Sequence, residues 1–445
     1  MSSTADVVVI GGGFAGIVAA RELSLRGVRT VVLEGRDRLG GRTWSREVAG
    51  HTVELGGAWV HWTQPHVFAE ISRYGLELLQ SPTPDVGTWL VNGDLRTGPK
   101  QQLTTRLESA LKKFWGAEVG EVNQLHSLDW AMPVSSLDQL TVQDRLDTTD
   151  LTDEDKALLS GLFATMGCGP CSSTSLVAML RWWLLGGATL DGVVAATGGY
   201  KIRGGTGVLV DAIVADGDFE VQLSTAVTRV EQMSQGIRVT TRTGDSYTAK
   251  VAVCTIPLNT MSAIDFSPAL SGAKARAARE GQSSCGLKAV IRLAGVAEQV
   301  SAFAPDTHPF TDLETDWVDG AEQGMIAFGA RADRLDLSDL DAVAAAVHTL
   351  LPQAEILEVL SHDWVGDEYS RGTWTVLRPT HATQIAADLQ RSEGPLIIAG
   401  DATASLWNGF IDGAIESGLR AARQARSALD GNAAGPEVLC EGTPR

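Results

Sequence analysis

The clearest pattern of apolar and polar positions lies in the first forty residues. Residues 7–10 are a short, wholly apolar and mostly β-branched run, which is typical of a buried parallel strand. Ile17, Ala20 and Leu23 then recur at the spacing of one helix face, and residues 31–33 form a second apolar run. We therefore predict a strand, a helix and a second strand, which together make a βαβ unit.

A glycine-rich turn joins the first predicted strand to the helix. Residues 11–16 read Gly-Gly-Gly-Phe-Ala-Gly, and Glu34 ends the second strand. Such glycines let the backbone approach a pyrophosphate, the helix N-terminus offers free N–H groups, and an acid after the second strand binds ribose hydroxyls. The unit predicts a site for an adenine dinucleotide, which is either NAD or FAD. The predicted contacts are Gly11, Gly13, Phe14, Ala15, Gly16 and Glu34.

Composition and charge narrow the class of protein. The 445 residues are 44% hydrophobic and 20% charged, which is enough apolar material for two or three packed domains. The net charge of −18 argues against nucleic-acid binding, whose affinity comes largely from neutralising phosphates. Five cysteines in a chain of this length do not make a disulfide framework, which favours a reducing compartment.

The sequence shows no targeting or membrane segment. The N-terminus lacks the basic region of a signal peptide, and the most apolar stretch, residues 176–190, is too short to span a bilayer and contains Arg181. We therefore expect a soluble, cytoplasmic protein that binds neither membrane nor nucleic acid. No metal site is predicted.

Two further glycine runs carry a family resemblance. Gly40-Gly41-Arg42 follows the predicted ribose acid, and Gly56-Gly57-Ala58-Trp59 comes soon after it. Together with the βαβ unit, these runs resemble the flavin-containing amine oxidase family, which includes monoamine, polyamine and L-amino acid oxidases. An arginine and glycines beside the pyrophosphate would add charge-assisted hydrogen bonds to a deeply buried cofactor. The resemblance implies that the dinucleotide is FAD.

The resemblance recurs in the family's order along nearly the whole chain. The matching segments are residues 201–207, 227–230, 251–257, 284–290, 362–374 and 399–418. It implies an α/β protein in which a Rossmann-like FAD-binding domain is interleaved with an α+β substrate-binding domain. The predicted FAD domain comprises residues 1–80, 200–290 and 385–432, the substrate domain comprises residues 81–199 and 291–384, and residues 433–445 are a tail.

The resemblance also implies which residues contact the flavin. A helix predicted from Ile411 to about Ala428 would point its N-terminus at the flavin pyrimidine, and Val227 would bind the adenine through its backbone. Beyond the fingerprint, the implied FAD contacts are Arg36, Gly41, Arg42, Gly57, Ala58, Trp59, Val227, Trp364, Gly400, Asp401, Phe410 and Ile411.

Three residues are implied in the chemistry itself. Trp374 and Phe410 would hold the amine between two aromatic faces, and because many family members have two tyrosines there, this pair suggests a tighter, less polar slot. Lys288 would hold a water on flavin N5 and assist oxygen chemistry. Thr373 stands where covalently flavinylated members carry a cysteine, so the FAD should be non-covalent.

The implied reaction is hydride transfer from the carbon α to an apolar primary or secondary amine onto flavin N5. Its products are an imine and, with molecular oxygen as the acceptor, hydrogen peroxide. Residues 57–66 resemble a bacterial branch that includes hydroxynicotine oxidases. An L-amino acid oxidase stays open, with Arg181, Arg292 and Arg378 as candidates to face a carboxylate, as does a polyamine oxidase with acids in a tunnel. A protein electron acceptor and a homodimer also stay open.

A competing hypothesis comes from Cys168-Gly169-Pro170-Cys171, a dithiol redox sequence that a flavin could reduce. A thioredoxin-like unit would place this motif between a strand and a helix, whereas residues 157–166 and 176–185 on either side both have helical patterns. A disulfide reductase would also need a second nucleotide fingerprint, and residues 204–207 lack a preceding strand in this prediction. A non-catalytic flavin-binding protein would have lost the residues of the predicted slot.

Overall fold

The apolar runs at the start of the chain form the predicted βαβ unit. The structure is a computed structural model, and it describes residues 2–116 and 136–431. Its strands, in chain order, are β1 (Ser2–Thr4), β2 (Val7–Ile10), β3 (Thr30–Leu33), β4 (Ser45–Val48), β5 (His51–Glu54), β6 (Trp59–Val60), β7 (Leu78–Gln80), β8 (Val86–Val91), β9 (Asp94–Pro99), β10 (Tyr200–Ile202), β11 (Glu220–Gln222), β12 (Val227–Gln232), β13 (Ile237–Thr241), β14 (Ser246–Ala249), β15 (Val251–Cys254), β16 (Asp265–Ser267), β17 (Leu287–Ala294), β18 (Val300–Phe303), β19 (Asp312–Asp319), β20 (Glu322–Gly329), β21 (Glu355–Ser361) and β22 (Leu396–Ile398).

The helices follow the apolar periodicity closely. In chain order they are α1 (Phe14–Ser24), α2 (Pro65–Arg73), α3 (Lys100–Trp115), α4 (Val142–Thr148), α5 (Asp153–Gly167), α6 (Leu176–Leu185), α7 (Leu190–Gly198), α8 (Thr206–Ala215), α9 (Leu258–Met261), α10 (Gly272–Glu280), α11 (Leu340–His348), α12 (His381–Gln384), α13 (Ala386–Leu389) and α14 (Ile411–Leu429). Among the described residues, no single helix is long and apolar enough to cross a membrane. Helices α6 and α7 reach that length and composition only as a pair bent by 90°.

A parallel sheet of order β11-β3-β2-β15-β22 contains the βαβ unit. Strands β2, β3 and β15 are buried along their whole length, as their continuous apolar runs predict. One face packs against α1 and α14 through small residues such as Ala19 and Ala421. The other face packs against a second sheet of order β1-β14-β13-β12-β16. The glycine-rich turn and Glu34 therefore lie at the carboxyl ends of parallel strands, where such sheets bind ligands.

A large mixed sheet has the order β21-β17-β20-β19-β18-β8-β9. One of its faces packs against α11, through residues such as Val343 and Val347. On the opposite side, Phe303 joins a hydrophobic core with the helical layer formed by α3 to α7, which includes Leu107 and Phe163. The mixed sheet thus lies between α11 on one face and the helical layer on the other.

The predicted α/β class is confirmed, with a parallel sheet beside a mixed sheet and its helices. The strands of the parallel sheet all fall inside the ranges predicted for the FAD domain. The predicted boundary at residue 290 falls inside β17, which belongs to the mixed sheet. The division into two interleaved domains stays a prediction, and the predicted tail 433–445 lies outside the described residues.

One expectation about local structure was wrong. A short strand, β10, does precede residues 204–207, and α8 follows them. Strand β10 pairs in antiparallel fashion with β6 and β7, outside the parallel sheet. Its three residues depend on pairing with distant parts of the chain, so no local run of apolar residues marks it. Residues 204–207 therefore follow an antiparallel strand, whereas residues 11–16 follow a strand of the parallel sheet.

Candidate active site

A cavity of about 1120 Å³ lies between the parallel sheet, the mixed sheet and helices α3, α5, α6 and α7. It is large enough for a dinucleotide and a small second molecule. It brings together residues that are hundreds of positions apart in the sequence. The predicted site residues that line it are Gly11, Gly13, Phe14, Ala15, Glu34, Arg36, Gly41, Arg42, Gly57, Ala58, Trp59, Val227, Lys288, Trp364, Trp374, Gly400, Asp401, Phe410 and Ile411.

Gly16 is the one predicted cofactor contact that does not line the cavity. A Cβ atom on Gly16 would overlap the carbonyl oxygen of Gly11 and lie 3.0 Å from the hydroxyl of Thr255. Gly11 itself has φ +104°, a conformation that favours glycine. Gly16 therefore lets α1 approach the strand closely, and its contact with the cofactor stays a prediction.

Two helices begin at the cavity without a side-chain cap. The N-cap of α1 is Gly13 and that of α14 is Phe410, and neither side chain accepts a hydrogen bond from the helix. The first N–H groups of a helix have no partner within it, and the dipole makes this end positive. Both helix ends therefore offer binding to negatively charged or electron-rich groups in the cavity.

The carboxylate of Glu34 is buried and holds the glycine-rich turn in place. It accepts hydrogen bonds from the backbone N–H of Gly12 at 2.6 Å and from that of Arg36 at 2.8 Å. Gly41 approaches the same turn, since a Cβ on Gly41 would lie 3.1 Å from the Cα of Gly13. Glu34 thus shapes the turn and also lines the cavity where the resemblance puts the ribose.

The two predicted arginines are held by carboxylates. Arg42 pairs with Asp401 and also donates to the Thr373 carbonyl at 2.7 Å. Arg36 pairs with Asp367 at 2.9 Å. Since each guanidinium has five N–H donors, these pairs orient the arginines and leave donors for a cofactor.

The second glycine run packs on Trp364. The indole N–H of Trp364 donates to the Leu55 carbonyl at 2.8 Å, and a Cβ on Gly56 would overlap the Arg42 carbonyl and lie 2.9 Å from the indole ring. The Gly57 N–H donates to the Arg42 carbonyl at 3.0 Å. Glycine at these positions therefore lets two backbone segments and an indole meet at the cavity wall.

Trp374 and Phe410 come from chain segments that run against each other. A Cβ on Gly409 would overlap the Thr375 carbonyl, so the residue before Phe410 touches the residue after Trp374. The Trp374 indole N–H donates to the Met166 carbonyl at 3.0 Å, and the Phe410 ring makes an edge contact with Trp182, with ring centroids 4.6 Å apart. Met166 therefore holds the Trp374 ring in place, and Trp182 holds the Phe410 ring in place.

Lys288 is a buried lysine at the centre of this arrangement. Its Nζ donates to the Gly56 carbonyl at 2.6 Å and lies 4.8 Å from the ring centroid of Trp59 and 5.7 Å from that of Phe328. Burial lowers the pKa of Lys288 to about 8, although Glu54 and Asp316 oppose that effect. The side chain can therefore gain or lose a proton near neutral pH.

The sequence analysis missed several residues that line the cavity. Phe328 contacts Trp59 and Trp374, with ring centroids 5.8 Å apart in each case, and Trp182 supports Phe410. Asp312 also lines the cavity. These residues lie on β20, α6 and β19, and only the pairing of distant strands and helices brings them to the site.

Cys168 and Cys171 do not form a reactive dithiol site. Both are fully buried, and Cys168 ends helix α5 in a left-handed conformation. Burial raises the pKa of Cys168 to about 12 and that of Cys171 well above its usual value. Reactive cysteines have lowered pKa values and partial exposure, so the geometry argues against a disulfide reductase.

We predict that neither thiol reacts with iodoacetamide in the native protein, and that both react after unfolding in urea, as measured by mass spectrometry. The variant Cys171→Ala should keep its rate of amine-driven flavin bleaching within about 2-fold and lose about 1 kcal/mol of stability. Rapid native alkylation of both thiols together with loss of bleaching would support the reductase instead.

The three arginines considered for a substrate carboxylate lie elsewhere. None of Arg181, Arg292 and Arg378 lines the cavity within the described ranges. Arg292 pairs with Glu322 and Glu358, and Arg378 donates to backbone carbonyls. This placement argues against recognition of an amino acid carboxylate by these residues.

The residues present fit FAD. The α1 end and glycine turn can take a pyrophosphate, Glu34 can take ribose hydroxyls, and the α14 end can face an electron-rich ring. The remaining volume lies beside Lys288 and the two aromatic walls. A cofactor and a small substrate can thus share one enclosed space.

Comparison with known proteins agrees with this arrangement. The sequence profile of the flavin containing amine oxidoreductase family matches residues 14–426. The chain is 37% identical over 437 residues to pseudooxynicotine dehydrogenase from a Pseudomonas species, covering 96% of this chain and 87% of that protein. It is 36% identical over 428 residues to nicotine dehydrogenase from Pseudomonas putida, covering 95% and 89%. Its fold is similar to that of cyclohexylamine oxidase from Brevibacterium oxydans, with a TM-score of 0.79 at 22% identity, covering 96% and 99%.

Proposed function

Since the chain belongs to the family of flavin-containing amine oxidoreductases, we propose that it oxidises an apolar primary or secondary amine with non-covalent FAD and passes the electrons to molecular oxygen. FAD is the cofactor of this family, and it accepts two electrons and a hydrogen from the carbon next to the amine nitrogen. The observation that carries the proposal is the aromatic slot of Trp374 and Phe410 in the same cavity as the two uncapped helix ends.

The slot supports an apolar amine in a fixed orientation. Trp374, Phe410 and Phe328 give it aromatic faces, and Leu107 and Met166 add aliphatic surface. Burying the amine's carbon groups here removes water from the reacting centre and limits their motion. The neutral amine would lie between Trp374 and Phe410, with Lys288 beside it.

The arginines of the cavity bear on whether the substrate carries a carboxylate. Within the described residues, the arginines that line the cavity are Arg36, Arg42, Arg242 and Arg371. The proposal assigns Arg36 and Arg42 to the cofactor end, and Arg242 pairs with Glu368. This arrangement favours an amine without a carboxylate over an amino acid. The names of the compared proteins, which refer to nicotine-type amines and cyclohexylamine, agree with an apolar amine of modest size.

Anaerobic mixing of the purified holoenzyme with a panel of amines and amino acids tests the proposal. We expect bleaching of the visible flavin band by apolar amines, no bleaching by the matching amino acids, and peroxide when air is readmitted. Release of intact FAD on acid precipitation checks that it is not covalently bound. Bleaching by dithionite alone, with none of the amines active, would contradict the slot assignment, and bleaching without peroxide would point to a protein acceptor.

A further inference from the structure

The first turn of α14 contains a fully buried carboxylate. Asp412 is the second residue of that helix and follows Ile411, which lines the cavity. The free N–H groups at this end of α14 make it positive. A carboxylate so close to them opposes that positive charge unless other groups balance it. What balances Asp412 therefore decides how strongly α14 acts on a molecule in the cavity.

The Asp412 carboxylate is bonded to a different helix. Its Oδ1 accepts hydrogen bonds from the backbone N–H of His66 at 2.6 Å and from that of Val67 at 2.9 Å. These are the second and third residues of α2, whose own N-cap residue, Gln64, provides no side-chain cap. Asp412 therefore caps α2, and the positive end of α2 balances part of its charge.

His66 supplies a charge that changes with pH. Its Nδ1 lies 3.3 Å from Oδ2 of Asp412, and its side chain is 29% exposed, so it can exchange a proton with solvent. The hydrogen bond with Asp412 raises the pKa of His66 above its usual 6.5, although burial opposes it. With His66 protonated the pair is neutral, and with His66 neutral the pair carries one buried negative charge.

Other charged groups lie around His66. Glu416 and Arg423 face it from later turns of α14 and have opposite effects on its pKa. On α2 itself, Glu70 lies one turn beyond His66 and pairs with Arg21 of α1 at 2.5 Å. Histidine is the side chain whose ordinary pKa lies closest to neutral pH. His66 is therefore the member of this cluster that we expect to change charge between pH 6 and pH 9.

The two segments that Asp412 joins both reach the cavity. Gly57 and Ile411 line it, and a Cβ on Gly57 would lie 3.8 Å from the Ile411 side chain. The indole N–H of Trp407 donates to the Thr63 carbonyl at 2.9 Å. The start of α14 is thus held against the segment before α2 as well as against α2 itself. A change of charge in this place acts on a helix end whose position is fixed by several contacts.

We propose that His66 and Asp412 are positioning residues that set the positive charge at the N-terminus of α14 and thereby the reduction potential of the bound flavin. This inference rests on the part of the proposed function that places the α14 end at the flavin. When the pair is neutral, the helix end stabilises the electrons that the flavin gains. When His66 is neutral, the charge of Asp412 opposes them. Protonation of His66 therefore favours reduction.

Two neutral variants should shift the reduction equilibrium in opposite directions. Asp412→Asn keeps an oxygen for the N–H groups of α2 and removes the negative charge, so at pH 9 the equilibrium constant should rise about 10-fold. His66→Asn keeps a donor beside Asp412 and removes the positive charge, so at pH 6 the constant should fall about 10-fold and at pH 9 it should match the wild type. A tenfold change is about 30 mV for a two-electron couple.

Anaerobic reduction of the holoenzyme with dithionite, beside a reference dye of similar potential, measures these constants. Matched controls are Asp430→Asn at the exposed C-terminal end of α14 and His348→Asn at the exposed end of α11, which should stay within about 2-fold of the wild type. A displaced helix would give the same shift at both pH values, so such a result for His66→Asn would overturn the proposal. If Asp412→Asn does not fold, the His66→Asn shift at pH 6 and its loss at pH 9 decide alone.

A failure of the proposed amine oxidation is distinguishable from a failure of this inference. Dithionite reduces the flavin whether or not any amine does, so the constants are measured in either case. NMR of the oxidised holoenzyme with labelled histidine gives an independent readout, in which the signal missing from His66→Asn identifies His66. Its pKa should lie above 6.5 in the wild type and fall in Asp412→Asn. A His66 pKa that Asp412→Asn leaves unchanged would overturn the coupling.

Discussion

Replacing Lys288 by methionine is expected to slow reoxidation of the amine-reduced enzyme by oxygen by about two orders of magnitude. Electron transfer to oxygen builds negative charge in a site from which water is largely excluded, and the Lys288 ammonium is buried there beside Trp59 and Phe328. Methionine keeps the length and apolar bulk of the side chain but removes the charge. Amine-driven bleaching, measured separately without oxygen, should change by less than about 10-fold, because the aromatic walls remain.

The pH dependence of reoxidation gives a further signature of Lys288. Because its pKa is lowered to about 8, the wild-type rate should fall as pH rises through that value, and the methionine variant should show no such step. Lys274→Met is the matched control, since Lys274 is also buried, pairs with Glu393 and does not line the cavity. A wild-type step that persists in Lys288→Met would assign it to another group.

Lys288→Met should also stabilise the protein at neutral pH. In the folded chain the buried ammonium of Lys288 loses its proton near pH 8, whereas the lysine of the unfolded chain keeps its proton up to about pH 10.5. The free energy of unfolding of the wild type therefore rises between these two pH values, and below them it bears a cost of about 3 kcal/mol. Lys288→Met should raise the Tm more at pH 7 than at pH 10.

Replacing Glu34 by alanine is expected to weaken FAD binding by about 100-fold or more. The change removes the acceptor for the Gly12 and Arg36 N–H groups, so the turn loses its shape, and it also removes the acceptor assigned to the ribose. Titration of the apoprotein with FAD, followed by quenching of flavin fluorescence, measures the Kd.

Glutamine at position 34 separates the two effects of the carboxylate. Glu34→Gln keeps one carbonyl acceptor without charge, so its FAD affinity should fall between those of the wild type and Glu34→Ala. Glu47→Gln is the control, since Glu47 is exposed and bonds only Thr52 among the described residues. Wild-type affinity in Glu34→Ala would contradict both the structural and the ribose role.

The dinucleotide end of the site can be predicted from local sequence far better than the slot can. The βαβ unit is continuous in sequence, and its glycines, strand runs and acid are each required by local backbone geometry, so residues 7–34 are predictable. The interleaved α/β fold class is what the family resemblance implies, and that resemblance begins with the same unit. The predicted boundary at residue 290 falls inside β17, because a strand that extends the mixed sheet looks locally like the end of the preceding segment.

Asp312 and Phe328 show why the residues around the slot could not be predicted from the sequence. The alternation of acids on β19 is visible in the sequence, but the choice of the face that meets the cavity depends on pairing with β20 and β18. At Gly16 the motif predicts a cofactor contact, and the structure shows a close approach of the helix to the Gly11 carbonyl. Trp182 lies in a segment whose helical pattern is typical of any core helix, so the pattern does not mark it as a site residue.

The close contact between α1 and α14 has a consequence for biosynthesis. A Cβ on Gly418 would lie 2.5 Å from the Ala15 carbonyl, so one of the last helices made packs directly on one of the first. Strand β22, at the edge of the parallel sheet, is also made late. During translation the dinucleotide cradle is thus complete only after α14 has left the ribosome. FAD can therefore bind and retain chains that already include α14 but not shorter ones, and flavin supply during expression should govern how many of the longer chains persist in the folded state.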